Sequence, residues 1–371
     1  MDTVGLIIAF CAAGIASGVV TPLAGKIAVL LDVVDRPSVR KVNDRQGIPL
    51  LGGLAVVMGC GLGLVAFYLA SDQPQSAKLQ AHLASFMAGG MLLVLVGVWD
   101  DRFDLGAWQK IPFQVLASVI AINGGFVIDY FTNPFTLVTH LLPEWLSWLI
   151  TLGWIVVVTN AMNLIDGLDG LTSGLGVIIA GTLGIICFQA DQVAGLLIAL
   201  VMLGALLGFL PFNFPPAKIF LGDAGALFIG FGLALISIQG YRKAALLTFI
   251  IPLLVLAVPL LDTGLSIFRR VRTGKGIFLA DKMHMHHMLL KREGSHRRAV
   301  LWLYFQTLCF SIIALSFSQL KGYSAYIFLV AVIVLTARLL KNLGMLRFQQ
   351  ENDFPAGATN ETTPGKEEKE N

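Results

Sequence analysis

Apolar residues run along this chain in long blocks. Eleven of them cover roughly 3–23, 50–70, 83–99, 110–128, 145–160, 171–188, 194–211, 223–240, 245–268, 299–318 and 324–341. Blocks of about 17–25 apolar residues are what an α-helix needs to cross the hydrocarbon of a bilayer. The pattern predicts an all-α, polytopic integral membrane protein of about 11 transmembrane helices. Only Gln189, Asp191 and Gln192 part the two halves of the 171–211 block. A transmembrane domain is expected over 1–348, followed by a polar tail over 349–371, rich in Asn, Glu, Thr, Pro and Lys and expected to be disordered. The first block has Asp2 ahead of it and shows no small-residue cleavage site, so it reads as a retained transmembrane helix, not a signal peptide.

Composition narrows the class further. Of 371 residues, 56% are hydrophobic and 13% charged; soluble domains carry about 25% charged residues. Four cysteines, Cys11, Cys60, Cys187 and Cys309, lie in apolar runs without a paired spacing, so neither disulfides nor zinc are suggested. Net charge, +3, says little until it is sorted by loop. Alternating the spans places 22 of the 26 Lys and Arg residues on one side and 4 on the other. Positive charge marks the cytoplasmic side, which puts the N-terminus outside and the C-terminus inside. The external connection 129–144 ends in Trp145 and Trp148, suited to anchor at the membrane interface. No nucleic-acid partner is expected.

The same sorting gathers the unusual polar clusters on the cytoplasmic face. One is the run Asn160-Ala161-Met162-Asn163-Leu164-Ile165-Asp166-Gly167-Leu168-Asp169-Gly170. Polar groups at a membrane boundary are costly and read as functional. Steps of three residues drift around a helix, and Gly167 and Gly170 allow the backbone to leave helical geometry. A helix end opening into a tight loop is expected, with Asn160, Asn163, Asp166 and Asp169 turned toward one volume. Asp100-Asp101 pairs two carboxylates at another helix end, where repulsion calls for a cation; Mg²⁺ with phosphate is the common solution. Arg102 follows the pair and reads either as a cation beside it or simply as a cytoplasmic charge. Asp223, in Phe220-Leu221-Gly222-Asp223-Ala224-Gly225, starts another span as either a metal ligand or a helix cap.

Two further loops supply cations. Loop 24–49 carries Arg36, Arg40, Lys41 and Arg45, with Arg45 beside a Gly-rich turn the strongest candidate for an anionic substrate. Loop 269–298 holds nine basic residues around His284, His286 and His287, a set better suited to a diphosphate than to zinc, with Asp262 placed to orient or cap. Carboxylates, amides and cations at a membrane surface make the inventory of phosphoryl transfer with a lipid substrate.

These motifs, the aspartate pair 100–101, the Asn-x-x-Asn-x-x-Asp-Gly-x-Asp-Gly-Leu run at 160–171, Phe-x-Gly-Asp-x-Gly at 220–225 and the histidines at 284–287, resemble the polyprenyl-phosphate N-acetylhexosamine-1-phosphate transferases over about Asp35 to Arg298. The resemblance is strongest to the branch that primes O-antigen and enterobacterial common antigen. The peptidoglycan branch has three consecutive histidines, a run that Met285 interrupts here. The resemblance implies transfer of N-acetylglucosamine-1-phosphate from UDP-GlcNAc to undecaprenyl phosphate at the cytoplasmic face of a bacterial inner membrane. It implies Mg²⁺, with Mn²⁺ able to substitute, on Asp223, Asn163 and Asp100. Asp100 is implied as base or nucleophile with Asp101 assisting. Asp166 and Asp169 fall by uridine and sugar, and His284, His286 and His287 by diphosphate or sugar. A different UDP-amino-sugar donor, or a secondary transporter, are the alternatives. The oligomeric state stays open, a homodimer included.

Overall fold

The computed structural model describes residues 2–35, 47–71, 75–132, 139–240, 250–272 and 284–319, with Gly274 and scattered positions between 327 and 338. Arg45, Asp281 and the tail lie outside the described residues, as does most of the block 324–341. Contacts divide the chain into Met1–Ala325 and Tyr326–Asn371. The second unit shows scattered helical positions only, and the helices named below all belong to the first.

Helices account for nearly everything described. In order they are α1 Thr3–Leu30, α2 Gly52–Ala70, α3 Ala77–Phe103, α4 Ala107–Asn123, α5 Glu144–Leu164, α6 Leu171–Gln189, α7 Val193–Asn213, α8 Gly222–Gly240, α9 Ile250–Val255, α10 Ala257–Arg272, α11 Met285–Glu293 and α12 His296–Gln319. Between α4 and α5 a small antiparallel hairpin, β1 Tyr130–Thr132 and β2 Thr139–Leu141, sets Tyr130 opposite Leu141. Among the described residues eight helices, α1–α3, α5–α8 and α12, are long and apolar enough to cross a membrane. The protein is a multi-pass membrane protein.

Local chemistry sets the helix ends. Asp2 accepts the amide of Gly5 at 2.9 Å to start α1, and Ser76 that of Leu79 at 3.2 Å to start α3. Asp104 closes α3 in the left-handed region at φ 56°. The block read as one span over 245–268 is instead broken between α9 and α10. Pro259 has no N–H to give the carbonyl of Val255, the bond a continuous helix would make there. Beyond the break α10 buries Asp262, Thr263 and Ser266 and exposes Ile267, Phe268 and Val271. Polar-in and apolar-out is the sense expected of a helix with lipid on its outer side.

At the centre stands α8. Every residue from Gly222 to Gly240 is buried except Asp223. It packs against α2, α3, α5, α6 and α7. Two glycines let backbones meet at its first turn. A β-carbon on Gly97 of α3 would lie 2.2 Å from Ala224 Cα, and one on Gly53 of α2 would lie 2.2 Å from Gly225 N. The segments entering α2 and α8 are also joined through backbone bonds, Phe220 N–H to Pro49 O at 2.8 Å and Gly53 N–H to Leu221 O at 2.8 Å. Gly97 lies one turn before Asp100 and Asp101, on the same face of α3. Its contact therefore delivers both aspartates to the N-terminus of α8.

Candidate active site

Asp100 and Asp101 are neighbours on α3 but point about 100° apart around the helix. Asp101 turns to α8: its Oδ1 accepts the amide of Asp223 at 2.9 Å and its Oδ2 that of Ala224 at 3.4 Å. Those amides have no partner inside α8, and the helix dipole favours a carboxylate there. The cap of α8 is thus supplied by another helix, which leaves the side chain of Asp223 available for other partners.

Asp223 Oδ2 takes the ammonium of Lys110 at 2.9 Å, and Oδ1 accepts Asn163 Nδ2 at 3.0 Å. Asp100 Oδ2 takes the same ammonium at 2.5 Å, and its Oδ1 accepts the amide of Leu105 at 2.7 Å. One cation from the first turn of α4 therefore bridges carboxylates from α3 and α8, with an amide from α5 alongside. The side chains of Asp100 and Lys110 are 5% and 13% exposed, that of Asp223 34%, so the cluster opens on the Asp223 side.

The stretch 160–170 behaves as expected in backbone and only partly in side chains. α5 ends at Leu164, a loop follows, and Gly170, at φ 72°, leads into α6. Asn163 joins the carboxylate cluster. Asn160 instead exchanges hydrogen bonds with Gln114 of α4 at 2.6 and 3.2 Å. Asp169, buried, accepts the amide of Ala217 at 3.0 Å and so ties the loop to the segment before α8. Asp166 is half-buried between them. The single shared volume divides because Asn160 and Asn163 leave α5 in different directions, while Asp166 and Asp169 lie in the loop beyond its end.

The histidines gather at the start of α11. Ring centroids of His286 and His287 lie 4.2 Å apart, and His284 stacks on His286 at 5.6 Å. His286 packs on Gly167: a β-carbon there would lie 2.2 Å from its Nε2. The motif thus reaches the loop four residues beyond Asn163, and the acidic and histidine clusters are consecutive along one segment. Burial, opposed by Asp262 and aided by His287 and His284, pulls the His286 imidazole down to about 3. It is neutral at physiological pH, and among the described residues its buried Nδ1 has no hydrogen-bond partner. A buried ring nitrogen without a partner among the described residues fits a ligand that supplies the missing bond.

Lys110 is the residue that sequence reasoning misses, because it counts only as one of the inside charges. A signal is present all the same. A cation in the first turn of a helix opposes the dipole, so its position at a membrane boundary calls for a carboxylate partner. Arg102, adjacent to the pair, reaches the Leu31 carbonyl instead and lies 5.9 Å from the Phe103 ring.

Could this centre hold a divalent metal? Among the described residues no group of three or more His, Cys, Asp and Glu converges on one point. Magnesium needs fewer protein ligands, one or two carboxylates with phosphate oxygens completing the shell. Asp100 and Asp223 both reach one cation already, and the side-chain amide of Asn163 belongs to the same cluster. The donor set fits magnesium bound together with phosphate.

Comparison with known proteins identifies the family. Residues 83–241 match the model of glycosyl transferase family 4. A probable undecaprenyl-phosphate N-acetylglucosaminyl 1-phosphate transferase of Bacillus subtilis (strain 168) is 35% identical, over 84% of each chain. A decaprenyl-phosphate N-acetylglucosaminephosphotransferase of Mycobacterium leprae (strain TN) is 36% identical over 76% of each. An undecaprenyl-phosphate alpha-N-acetylglucosaminyl 1-phosphate transferase of Yersinia pestis is 30% identical over 75% of this chain and 74% of its own. Similarity of that order over three quarters of both partners reflects common descent, and the chain belongs to glycosyl transferase family 4, as a transferase of the polyprenyl-phosphate N-acetylhexosamine-1-phosphate type.

Proposed function

We propose that this protein transfers N-acetylglucosamine-1-phosphate from UDP-GlcNAc to undecaprenyl phosphate, releasing UMP. The observation that carries this reading is the Lys110 ammonium shared by Asp100 and Asp223, with Asn163 beside them, at one end of a membrane bundle. An oxygen of the lipid phosphate attacks the β-phosphorus of the donor. The bond from that phosphorus to the bridging oxygen breaks, and UMP leaves with the electron pair. A phosphate monoester has a second pKa near 6, so at neutral pH it is largely dianionic and needs little help from a base. Both oxygens of Asp100 are already engaged, which favours this direct route over a covalent aspartyl intermediate. Lys110 offsets charge gathering on the diphosphate, and His286 offers its unpartnered nitrogen on the neighbouring side.

Asp223, Asp100 and Asn163 are the residues that would hold Mg²⁺, or Mn²⁺ in its place. When bound, the ion neutralises the diphosphate and eases departure of UMP. Asp166, beside Gly167, is suited to the nucleoside or sugar between the two clusters, and Arg45 to a phosphate. Asp169 and Asn160 hold the loop and the helix in place. The site sits at helix ends and not mid-span, which speaks against a transporter. The positive charge that the sequence gathers on the loops of this side supports a reaction at the cytoplasmic face of a bacterial inner membrane, and we read it as the priming step of O-antigen or a related envelope polysaccharide.

The test is a donor screen in detergent with undecaprenyl phosphate, scoring UMP release with Mg²⁺, with Mn²⁺ and with chelator. Release from UDP-GlcNAc that is lost on chelation is expected. Release only from another UDP-sugar would keep the reaction class and correct the donor, and no release from any would end the reading.

A further inference from the structure

Asp262 lies in α10, outside the cluster that carries the chemistry, yet it is 2% exposed and its two oxygens are committed to the histidine motif. Oδ2 lies 2.9 Å from His284 Nδ1, and Oδ1 accepts the amide of Met285 at 2.5 Å. Burying a carboxylate is costly unless its lone pairs are satisfied, and both bonds here go to the start of one nine-residue helix, α11. A cap alone would use one oxygen; the other holds a ring.

We propose that Asp262 is a positioning residue that fixes the tautomer and orientation of His284 for the transfer reaction. The carboxylate can only accept, so the proton between the two groups sits on His284 Nδ1. A histidine's second nitrogen takes the role its first leaves it. Nε2, on the opposite side of the ring, becomes the atom available to substrate. The same carboxylate holds Met285 N–H, so the plane of the ring and the first turn of α11 are set by one group. His286, stacked on His284 with an interplanar angle of 12°, inherits that placement against Gly167. The break at Leu256 starts a separate helix, α10, whose second turn carries Asp262. A rigid carboxylate on one helix thereby aligns a histidine motif on another. The catalytic consequence rests on the transferase reading above; the tautomer does not.

The experiment uses the full chain in detergent with ¹⁵N-labelled histidine. Two-dimensional NMR reads the protonation of each ring nitrogen, and the His284 signals are assigned by their loss in His284→Gln. In the unsubstituted protein, Nδ1 of His284 is expected to carry a proton; a neutral ring protonated at Nε2 alone overturns the proposal without any variant of Asp262. Asp262→Asn keeps an oxygen for Met285 N–H but turns an NH₂ toward His284. The proton is then expected to move to Nε2, with kcat falling about tenfold or more, the direction seen when a histidine is held in the wrong tautomer, and KM for UDP-GlcNAc changing less. An unchanged ring signature, or a changed one with full kcat, leaves Asp262 as a cap of α11 and overturns the proposal. If the unsubstituted protein releases no UMP, the transferase reading fails, and the NMR result still decides the tautomer.

Discussion

The two ends of the helix bundle handle polar groups in opposite ways. At the end bearing the β-hairpin, partners are mostly near in sequence. Ser85 bonds to the carbonyl of His82, Thr151 to that of Ser147, and Ser147 to that of Ile128, all through hydroxyls that can reach backbone beside them. At the other end, charges cross between helices remote in sequence: Lys110 to Asp223, Asn163 to Asp223, Asp101 to the amides that open α8. Local hydroxyl bonds complete helix ends at little cost. Buried charges need specific partners and give little net stability. A membrane protein that concentrates them at one end has a use for them there, and that contrast makes the crowded end the candidate site.

The sharpest way to break the comparison is to remove charge from the crowded end. Asp223→Asn and Asp100→Asn should each abolish UMP release, with a loss on the order of 10³-fold or more, as for loss of central electrostatic groups. The melting temperature should change little. Full turnover in either purified variant would take that residue out of the mechanism. Lys110→Met should lower turnover strongly and also destabilise the protein by roughly 3 kcal/mol, because two carboxylates lose their shared cation. Adding Asp100→Asn to it should recover part of the stability and none of the activity, which denaturant unfolding and UMP release separate.

A milder effect is expected from pH. The buried His286 titrates at about 3 against 6.5 for a free histidine. The unfolded chain takes up its proton near the higher value, and the folded chain does not until the lower. Stability from this residue is therefore full above about 6.5 and drains away as pH falls toward 3. His286→Gln should melt with a shallower decline between neutral and mildly acid pH; an identical decline would assign the acid sensitivity elsewhere. Smallest of all, at the opposite end, Thr151→Val removes the hydroxyl that accepts Ile128 N–H at 2.9 Å. A cost of about 1 kcal/mol is expected with turnover unchanged, and a large kinetic effect would erase the contrast between the ends.

Much of this is legible in the residues. The helix that stops after Leu164 and the loop ending at Gly170 follow from glycines placed after an apolar block. The family is written in motifs whose members are a few residues apart. What stays hidden depends on pairing across distance. Lys110 has one partner ten positions back and another 113 ahead, and no periodicity connects them. Asp101 reads as the twin of Asp100, and only the arrival of α8 separates their roles. The break before α10 is readable from the missing N–H of Pro259, but the apolar block around it suggests one span. Block counting gives eleven spans, while eight helices meet the length and apolarity needed among the described residues, because α4 is short, α9 and α10 share a block, and the block 324–341 lies mostly outside the described residues.

Gly97 carries a last consequence. Its hydrogen side chain is the gap through which α3 and α8 touch, so even alanine there must push α8 away. Asp101 would lose its grip on the amides of Asp223 and Ala224, and Lys110 could no longer reach both acids. A screen for inactive variants would therefore score this silent, ligand-free position beside the aspartates themselves. Tolerance to substitution along α3 would report the spacing between two helices and not proximity to a nucleotide.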